Sequence, residues 1–409
     1  MQCQSVCPEL PKARGDVHLP ADDSGVAMMP GAKVEPVVSA APEQPRSADV
    51  RTRPKRGTAS PVPVVEKEPA MSNTFQNLPT VRLGRTDMDV TRVGFGSWAV
   101  GGDDWAVGWG HQEDTDSIAA IRHAVRVGVN WIDTAAVYGL GHSEEVVAEA
   151  LAEIAPSERP LVFTKCGLTW GEDRAASPNR VGTAASLRRE LEQSLQRLRI
   201  ERIDLYQMHR TPTDGTALDE YWGTLLAMKR EGKVRAVGLS NHGMAQLDTA
   251  ERLGHVDTLQ PPFSAIRRGV ATAELPWCHE HGTGVIVYNP MQAGLLTGAF
   301  TAERSAALPK DDWRSRSPDF TGDGLARNLQ AAAALRPVAE KHGVSQAAAS
   351  VAWTLAWPGV TGAIVGARTA EQVDGWVAAG ALTLDADDMA ALGQVIAASG
   401  AGEGPAVPG

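Results

Sequence analysis

Between residues 93 and 398, short apolar segments alternate with longer amphipathic ones, and this alternation leaves few architectures open. Strands are predicted at 93–98, 129–133, 161–165, 203–209, 234–240, 258–260, 285–288 and 362–365. Helical periodicity fills the gaps. It predicts helices at 114–127, 143–154, 218–231, 244–253, 326–341, 345–357, 370–379 and 386–398, and Leu187, Leu191, Leu195 and Leu198 mark one more apolar stripe. Ser143 is placed as an N-cap. A hairpin is expected from Val81 to Val90 around Gly84, and 297–324 reads as irregular. Eight strand-then-helix units in about 300 residues fit a (β/α)8 TIM barrel. An open doubly wound sheet would carry a switch point and a glycine fingerprint. Gly94-Phe-Gly96-Ser-Trp-Ala99 fits G-x-G-x-x-A, but it runs into Val-Gly-Gly-Asp-Asp-Trp, which cannot open a helix. The barrel is therefore the expected α/β fold, with the hairpin ahead of it.

Residues 1–74 differ from the rest. They hold 11 of the 26 prolines, no aromatic residue, and nine basic against nine acidic side chains. Such a segment cannot bury enough apolar surface to offset its ordering entropy, so a disordered N-terminal extension is expected. Met71 reads as an alternative start that would leave the extension out of the native chain. The barrel domain is assigned to 75–398 and a flexible tail to 399–409.

Charge and cysteine usage narrow the partners. Net charge is -10 with no basic run, which argues against nucleic acid. Apolar runs such as Gly284 to Tyr288 are too short to span a bilayer, so no membrane partner is expected. Cys3, Cys7, Cys166 and Cys278 suggest no disulfide framework, and a cytoplasmic location fits. Trp277-Cys278-His279-Glu280-His281 offers two histidines two residues apart, which face different sides of a helix, so no metal site is expected.

The strand ends carry the chemistry. Asp133 closes the second strand, with Tyr138 just beyond; Lys165 closes the third and His209 the fourth. In parallel α/β folds that end is where active sites are built. A buried turn-capping Asp and a gap-filling Tyr would account for the first two residues alone. A lysine directly after Leu-Val-Phe-Thr needs a partner, however, and Asp133 on the adjacent strand supplies one. An ammonium beside a phenol is expected to lower the pKa of Tyr138. His209 is placed to hydrogen-bond a substrate oxygen or the phenol. The set reads as a general acid aimed at an oxygen that gains charge, as when hydride attacks a carbonyl. Trp98 and Trp109 are expected to wall a substrate pocket, and Trp105 and Trp170 are left open.

Asp133-Thr-Ala-Ala-Val-Tyr138-Gly, Val162-Phe-Thr-Lys165, Asp204-Leu-Tyr-Gln-Met-His209, Val237-Gly-Leu-Ser240-Asn241 and Ile364-Val-Gly-Ala-Arg368 together resemble the aldo-keto reductase family over residues 80–398. His-Ser143-Glu-Glu-Val-Val and the Gly-Ala-Arg-Thr-Ala-Glu-Gln run resemble its bacterial soluble type. The resemblance implies a (β/α)8 barrel, NADP(H), a small carbonyl or alcohol substrate, and Tyr138 as proton donor and acceptor in a tetrad with Asp133, Lys165 and His209. It further implies that Ser240, Asn241 and Gln260 hold the nicotinamide carboxamide and that Tyr288 stacks on the ring. Asn289, Pro290, Met291, Gly294 and Leu295 would follow the pyrophosphate, with Gly366, Arg368 and Gln372 at the adenosine end. A guanidinium at a helix start suits a 2′-phosphate. Arg368 is a single such group, so NAD(H) stays open. A cofactor-binding redox sensor or regulatory subunit on the same fold is the alternative of a different class. A metal-dependent hydrolase would need clustered ligands at the strand ends, which are lacking.

Overall fold

A computed structural model describes residues 78–309 and 312–409. The expected disordered extension and Met71 lie outside the described residues. Eight parallel strands close into a barrel. In chain order they are β1 (Val93–Gly96), β2 (Trp131–Asp133), β3 (Leu161–Cys166), β4 (Ile203–Met208), β5 (Val234–Ser240), β6 (Thr258–Gln260), β7 (Gly284–Val287) and β8 (Gly362–Gly366). The principal helices are α1 (Asp114–Arg126), α2 (His142–Ala152), α3 (Ala184–Leu198), α4 (Leu218–Arg230), α5 (Met244–Leu253), α6 (Glu274–His281), α7 (Gly322–His342), α8 (Gln346–Leu355), α9 (Ala370–Asp374) and α10 (Ala386–Ser399), and a further short helix, Ala302–Ala306, lies in the section expected to be irregular. The predicted helix at 370–379 breaks after Asp374 and resumes as a single 3-10 turn at Val377–Gly380.

Strand pairing forces side chains to alternate between the barrel interior and the helical shell. The interior cluster takes Trp131, Phe163, Leu205, Ala236, Ile286 and Ile364 from six strands. The shell cluster takes their neighbours, among them Ile132, Val162, Tyr206, Val237, Val285 and Val365. Gly94 faces inward, and a Cβ there would lie 2.2 Å from the Trp131 indole. The glycine of the apparent nucleotide fingerprint therefore makes room for a tryptophan. The hairpin, Thr80–Arg82 paired with Asp89–Thr91, plugs the floor of the barrel. Its Leu83, Met88 and Val90 join the interior cluster, each contributing about 1.5–3 kcal/mol by burial.

Period-two alternation sets the next layer. Two residues beyond Trp131 comes Asp133, two beyond Phe163 comes Lys165, and four beyond Leu205 comes His209. Polar side chains thus sit one layer above the apolar filling, at the carboxyl ends of the strands. After α10 the chain runs back along the barrel. Arg268 donates to the carbonyls of Ala401 (3.0 Å) and Gly404 (3.3 Å), which ties residues 400–404 to the loop after β6.

Candidate active site

Tyr138 is delivered by a turn that only glycine-rich chain can follow. Gly139, Leu140 and Gly141 have φ of 61°, 58° and 108°, the left-handed region that favours glycine. A Cβ on Gly139 would meet the Gly101 carbonyl oxygen at 2.4 Å. The β1 and β2 loops therefore cross backbone to backbone, and the phenol turns back over the barrel mouth. The turn leads directly into α2, whose cap is Gly141 rather than the predicted Ser143. The Ser143 hydroxyl instead reaches the Ser97 carbonyl oxygen at 3.0 Å and stands 3.1 Å from Thr134 Oγ1, locking the β1 end to the β2 end.

Lys165 is the centre of the site. Its Nζ donates to Asp133 Oδ2 (2.6 Å), to the Thr134 carbonyl (2.9 Å) and to Tyr138 Oη (3.3 Å). Side-chain exposure is 0% for Lys165 and 3% for Asp133. A buried ammonium with this donor set is fully satisfied. Burial pulls the ammonium's pKa down, but Asp133 and Tyr138 outweigh it and the net shift is upward, so Lys165 stays charged. Burial pushes the Tyr138 phenol above its ordinary value, and Lys165 only partly pulls it back. This corrects the sequence expectation of a lowered phenol: desolvation wins over the ammonium. Tyr138 therefore keeps its proton at neutral pH.

His209 follows β4, and its ring meets Tyr138 edge-on with centroids 5.8 Å apart. Burial, Lys165, Arg210 and Arg180 hold its pKa well below the usual value, so the imidazole is neutral. Its Nδ1 is buried without a hydrogen-bond partner among the described residues. The aromatic wall is larger than expected. Trp98 stacks toward Tyr138 at 6.2 Å and meets Trp109 edge-on at 5.2 Å. Trp105, left open by sequence, lies 6.3 Å from Tyr138. Trp313, which sequence reasoning missed, meets Trp109 at 6.0 Å and joins the loop after β1 to the long section after β7.

The residues expected to hold a cofactor form two groups. In the first, Tyr288 donates to Asn241 Oδ1 (2.7 Å), and Asn241 Nδ2 donates to the His209 carbonyl (3.0 Å) and Ser240 Oγ (3.0 Å). Gln260 donates to Asp133 Oδ1 at 2.8 Å, which ties this group to the tetrad. The loop after β7 is a tight, internally bonded turn: the Ala293 amide donates to Asn289 Oδ1 at 2.8 Å and the Gly294 amide to the Met291 carbonyl at 3.2 Å. Asn289, Gln292, Ala293 and Gly294 all have positive φ, and a Cβ on Gly294 would meet nothing. Pro290, Met291 and Leu295 lie along the same loop, with the Pro290 carbonyl accepting from Ser350 at 3.1 Å. In the second group, the Arg368 amide donates to Gln372 Oε1 at 2.8 Å. Gly366, the last residue of β8, is exposed and a Cβ there would have only the Gly96 carbonyl at 3.6 Å. Arg368 Nε also donates to Gln112 Oε1 (2.6 Å), and its Nη2 donates to the His111 carbonyl. Gln112 and His111 had no sequence signal, since they sit in an irregular loop far from Arg368 in the chain.

No helix among the described residues is long and apolar enough to cross a membrane. The family model of the aldo/keto reductases matches residues 92–397. A Bacillus subtilis protein named aldo-keto reductase YhdN is 31% identical over 77% of this chain and 92% of its own length. An Escherichia coli protein named NADH-specific methylglyoxal reductase is 33% identical over 75% of this chain and 95% of its own. Among solved structures, a glycerol dehydrogenase from Gluconobacter oxydans is 38% identical, with a TM-score of 0.72 over 78% of this chain and 95% of that one. The holo form of a Bacillus halodurans aldo-keto reductase shares the fold at a TM-score of 0.60. With the closed barrel and the family motifs in place on it, the chain belongs to the aldo/keto reductase family.

Proposed function

We propose that this chain interconverts aldehydes or ketones and the corresponding alcohols by hydride transfer, with NADP(H) as cofactor and Tyr138 as proton donor and acceptor. One observation carries the reading: the Tyr138 hydroxyl lies 3.3 Å from a buried ammonium that is itself fixed by Asp133. Nothing in packing alone calls for a charged lysine under a tyrosine at a barrel mouth.

The residues fit a dinucleotide. In the loop after β7, Gly294 leaves open space where a side chain would stand, and Arg368 and Gln372 present polar groups at the far end. In the bound enzyme Ser240, Asn241 and Gln260 would hold the carboxamide and Tyr288 would face the ring. Asn289, Pro290, Met291, Gly294 and Leu295 would line the pyrophosphate, with Gly366, Arg368 and Gln372 around the adenosine. The cofactor, when bound, supplies the hydride. The chain does the rest. Trp98, Trp109 and Trp105 exclude water from the carbonyl. Neutral His209 orients the substrate oxygen by a hydrogen bond. Tyr138 then gives its proton to that oxygen as charge develops, and the Lys165 ammonium stabilises the phenolate left behind. In the reverse direction the same phenolate takes the alcohol proton.

Arg368 favours NADP(H), because a guanidinium fork suits a phosphate ester. The NADH-specific name of the E. coli relative makes the comparison with NADH part of the test. NADPH oxidation across aldehydes, ketones and sugars, repeated with NADH, should find turnover. Tyr138→Phe should lower it by about 10²–10⁴-fold while NADPH still binds. Normal turnover by Tyr138→Phe would refute the mechanism. Tight cofactor binding with silence across the whole panel would move the chain to the sensor class.

A further inference from the structure

An arm of chain leaves the carboxyl end of β3 and plays no part in the steps above. Its base is a small antiparallel pair, Leu168–Thr169 with Asn179–Arg180, and its tip, 171–177, is exposed. Gly167 is its root. That glycine has φ of 86°, and a Cβ there would meet Met208 Cε at 2.4 Å. The Gly167 amide donates to Glu190 Oε2 at 2.8 Å, and the Gly167 carbonyl accepts from the Val181 amide at 3.0 Å. The arm is thus fastened at its base, to α3 on one side and to its own returning strand on the other.

The tip reaches across to the loop after β1. Arg174 Nε donates to the Asp104 carbonyl at 2.9 Å and pairs with the Asp104 carboxylate at 2.8 Å. The Arg174 carbonyl accepts from the Ala106 amide at 3.1 Å. Asp104 and Ala106 flank Trp105, so one residue of the arm holds both neighbours of that indole. Trp105 is 6% exposed, and its ring lies 6.3 Å from the Tyr138 ring. Its Nε1 is buried without a hydrogen-bond partner among the described residues. A buried N–H that finds no acceptor costs stability, so the indole's own polar group does not select this position. The backbone held on either side imposes it.

We propose that the arm tip is a specificity element: by clasping Asp104 and Ala106 it keeps Trp105 against Tyr138, and the site so filled takes small carbonyl compounds and turns bulky ones away. This rests on the carbonyl chemistry proposed for Tyr138 and adds the substrate class. Trp105 packs in one apolar cluster with Val137, Leu140, Leu168 and Trp170 around Tyr138. Leu168 and Trp170 belong to the arm itself. The arm therefore supplies one side of this cluster and, through Arg174, fixes the indole that supplies another. The Arg174–Asp104 ion pair is exposed and contributes little alone. The two bonds to backbone, one from the guanidinium and one to the Arg174 carbonyl, carry the clasp. Arg174 is thus a positioning residue that acts through Trp105.

The test uses the full chain and reads the ratio of kcat/KM for 3-phenylpropanal over propanal, two aldehydes of like reactivity and different bulk. Replacing 171–177 by Asn-Gly shortens the tip, keeps Trp170 and removes Arg174. The ratio should rise about tenfold, the scale on which an apolar pocket discriminates. Trp105→Ala should raise it to a like extent, and the two changes together should add nothing further, because the arm acts through Trp105. Arg174→Ala keeps the carbonyl at 174 and should give part of the rise. The ratio is internal to each variant, so a loss of folded protein does not imitate the effect. An unchanged ratio in the short-tip variant or in Trp105→Ala, or additive effects of the two, would overturn the proposal while leaving the carbonyl chemistry standing. Silence with both aldehydes would count against the chemistry itself, and hydrogen exchange would then judge the clasp. The Ala106 amide should exchange slowly in the wild type and rapidly in the short-tip variant, and equal exchange would overturn it.

Discussion

Lys165 and Asp133, on adjacent strands, meet at 2.6 Å with both side chains sealed from solvent. Neither could sit there alone. Lys165→Met leaves a carboxylate whose remaining side-chain partner is Gln260, and burial already pushes the Asp133 pKa upward. Breaking such a pair costs about 3–5 kcal/mol. Urea denaturation should show that loss for Lys165→Met, and kcat should fall together with it because the phenolate loses its ammonium. Replacing both residues, as Lys165→Met with Asp133→Asn, should cost less than the sum of the two single changes. Wild-type carbonyl reduction should stay level from neutral pH and decline only above pH 10, since burial holds the Tyr138 proton on. A Lys165→Met variant as stable as wild type would show that the pair is not sealed.

Arg368 joins two loops. It donates to Gln112 Oε1 at 2.6 Å and its carbonyl accepts from Gln112 Nε2 at 3.0 Å. If the same guanidinium reads a 2′-phosphate, Arg368→Gln should weaken NADPH binding about tenfold or more and change NADH binding less. Quenching of tryptophan fluorescence by each cofactor gives both constants. Equal losses for the two would mean that Arg368 serves the loop and not the phosphate.

The reach of the sequence follows from how local each feature is. Asp133, Lys165 and His209 could be placed because strand ends and period-two alternation are local, and a lysine after four strand residues stands out. The Ser143 cap was expected from a local rule and is overridden by Ser97, which takes the Ser143 hydroxyl from another strand end. The phenol's upward shift depends on burial by Trp98 and Trp105, which no spacing reveals. The pairings of Arg368 with Gln112 and of Trp109 with Trp313 join distant loops with no regular structure between them. The site was legible where it belongs to the barrel, and hidden where loops meet above it.

His242, just beyond β5, is buried and held neutral. A carbonyl only accepts, so Nδ1 donates to the Ser240 carbonyl at 2.8 Å, and Nε2 accepts from the Tyr221 hydroxyl at 3.1 Å. Burial pushes its pKa from 6.5 down to about 4. The unfolded chain therefore binds a proton that the folded chain refuses. Stability is intact above pH 6.5 and declines as pH falls toward 4, by about 3 kcal/mol from this group. His209 adds to the same window with the same sign. In His242→Gln the melting temperature should start lower at pH 7 and fall less steeply from pH 6.5 to 4. An unchanged slope would mean that His242 is protonated in the folded protein.

Gly139 tests whether the turn, and not the tetrad alone, places the phenol. Its φ is 61°, where an L side chain costs about 1–2 kcal/mol, and a Cβ would lie 2.4 Å from the Gly101 carbonyl oxygen. Gly343, which caps α7, has φ of 64° and nothing within 4 Å of a Cβ. The two positions share the backbone strain, and only the first has the collision. Gly343→Ala should lower the melting temperature modestly and leave kcat unchanged. Gly139→Ala should lower it further and reduce kcat by about a hundredfold, the penalty for displacing a reacting group by roughly 1 Å. NADPH affinity should hold in Gly139→Ala, because the residues around the dinucleotide leave other strands. If the two alanine variants behaved alike, the crossing of the β1 and β2 loops would not be what aims Tyr138.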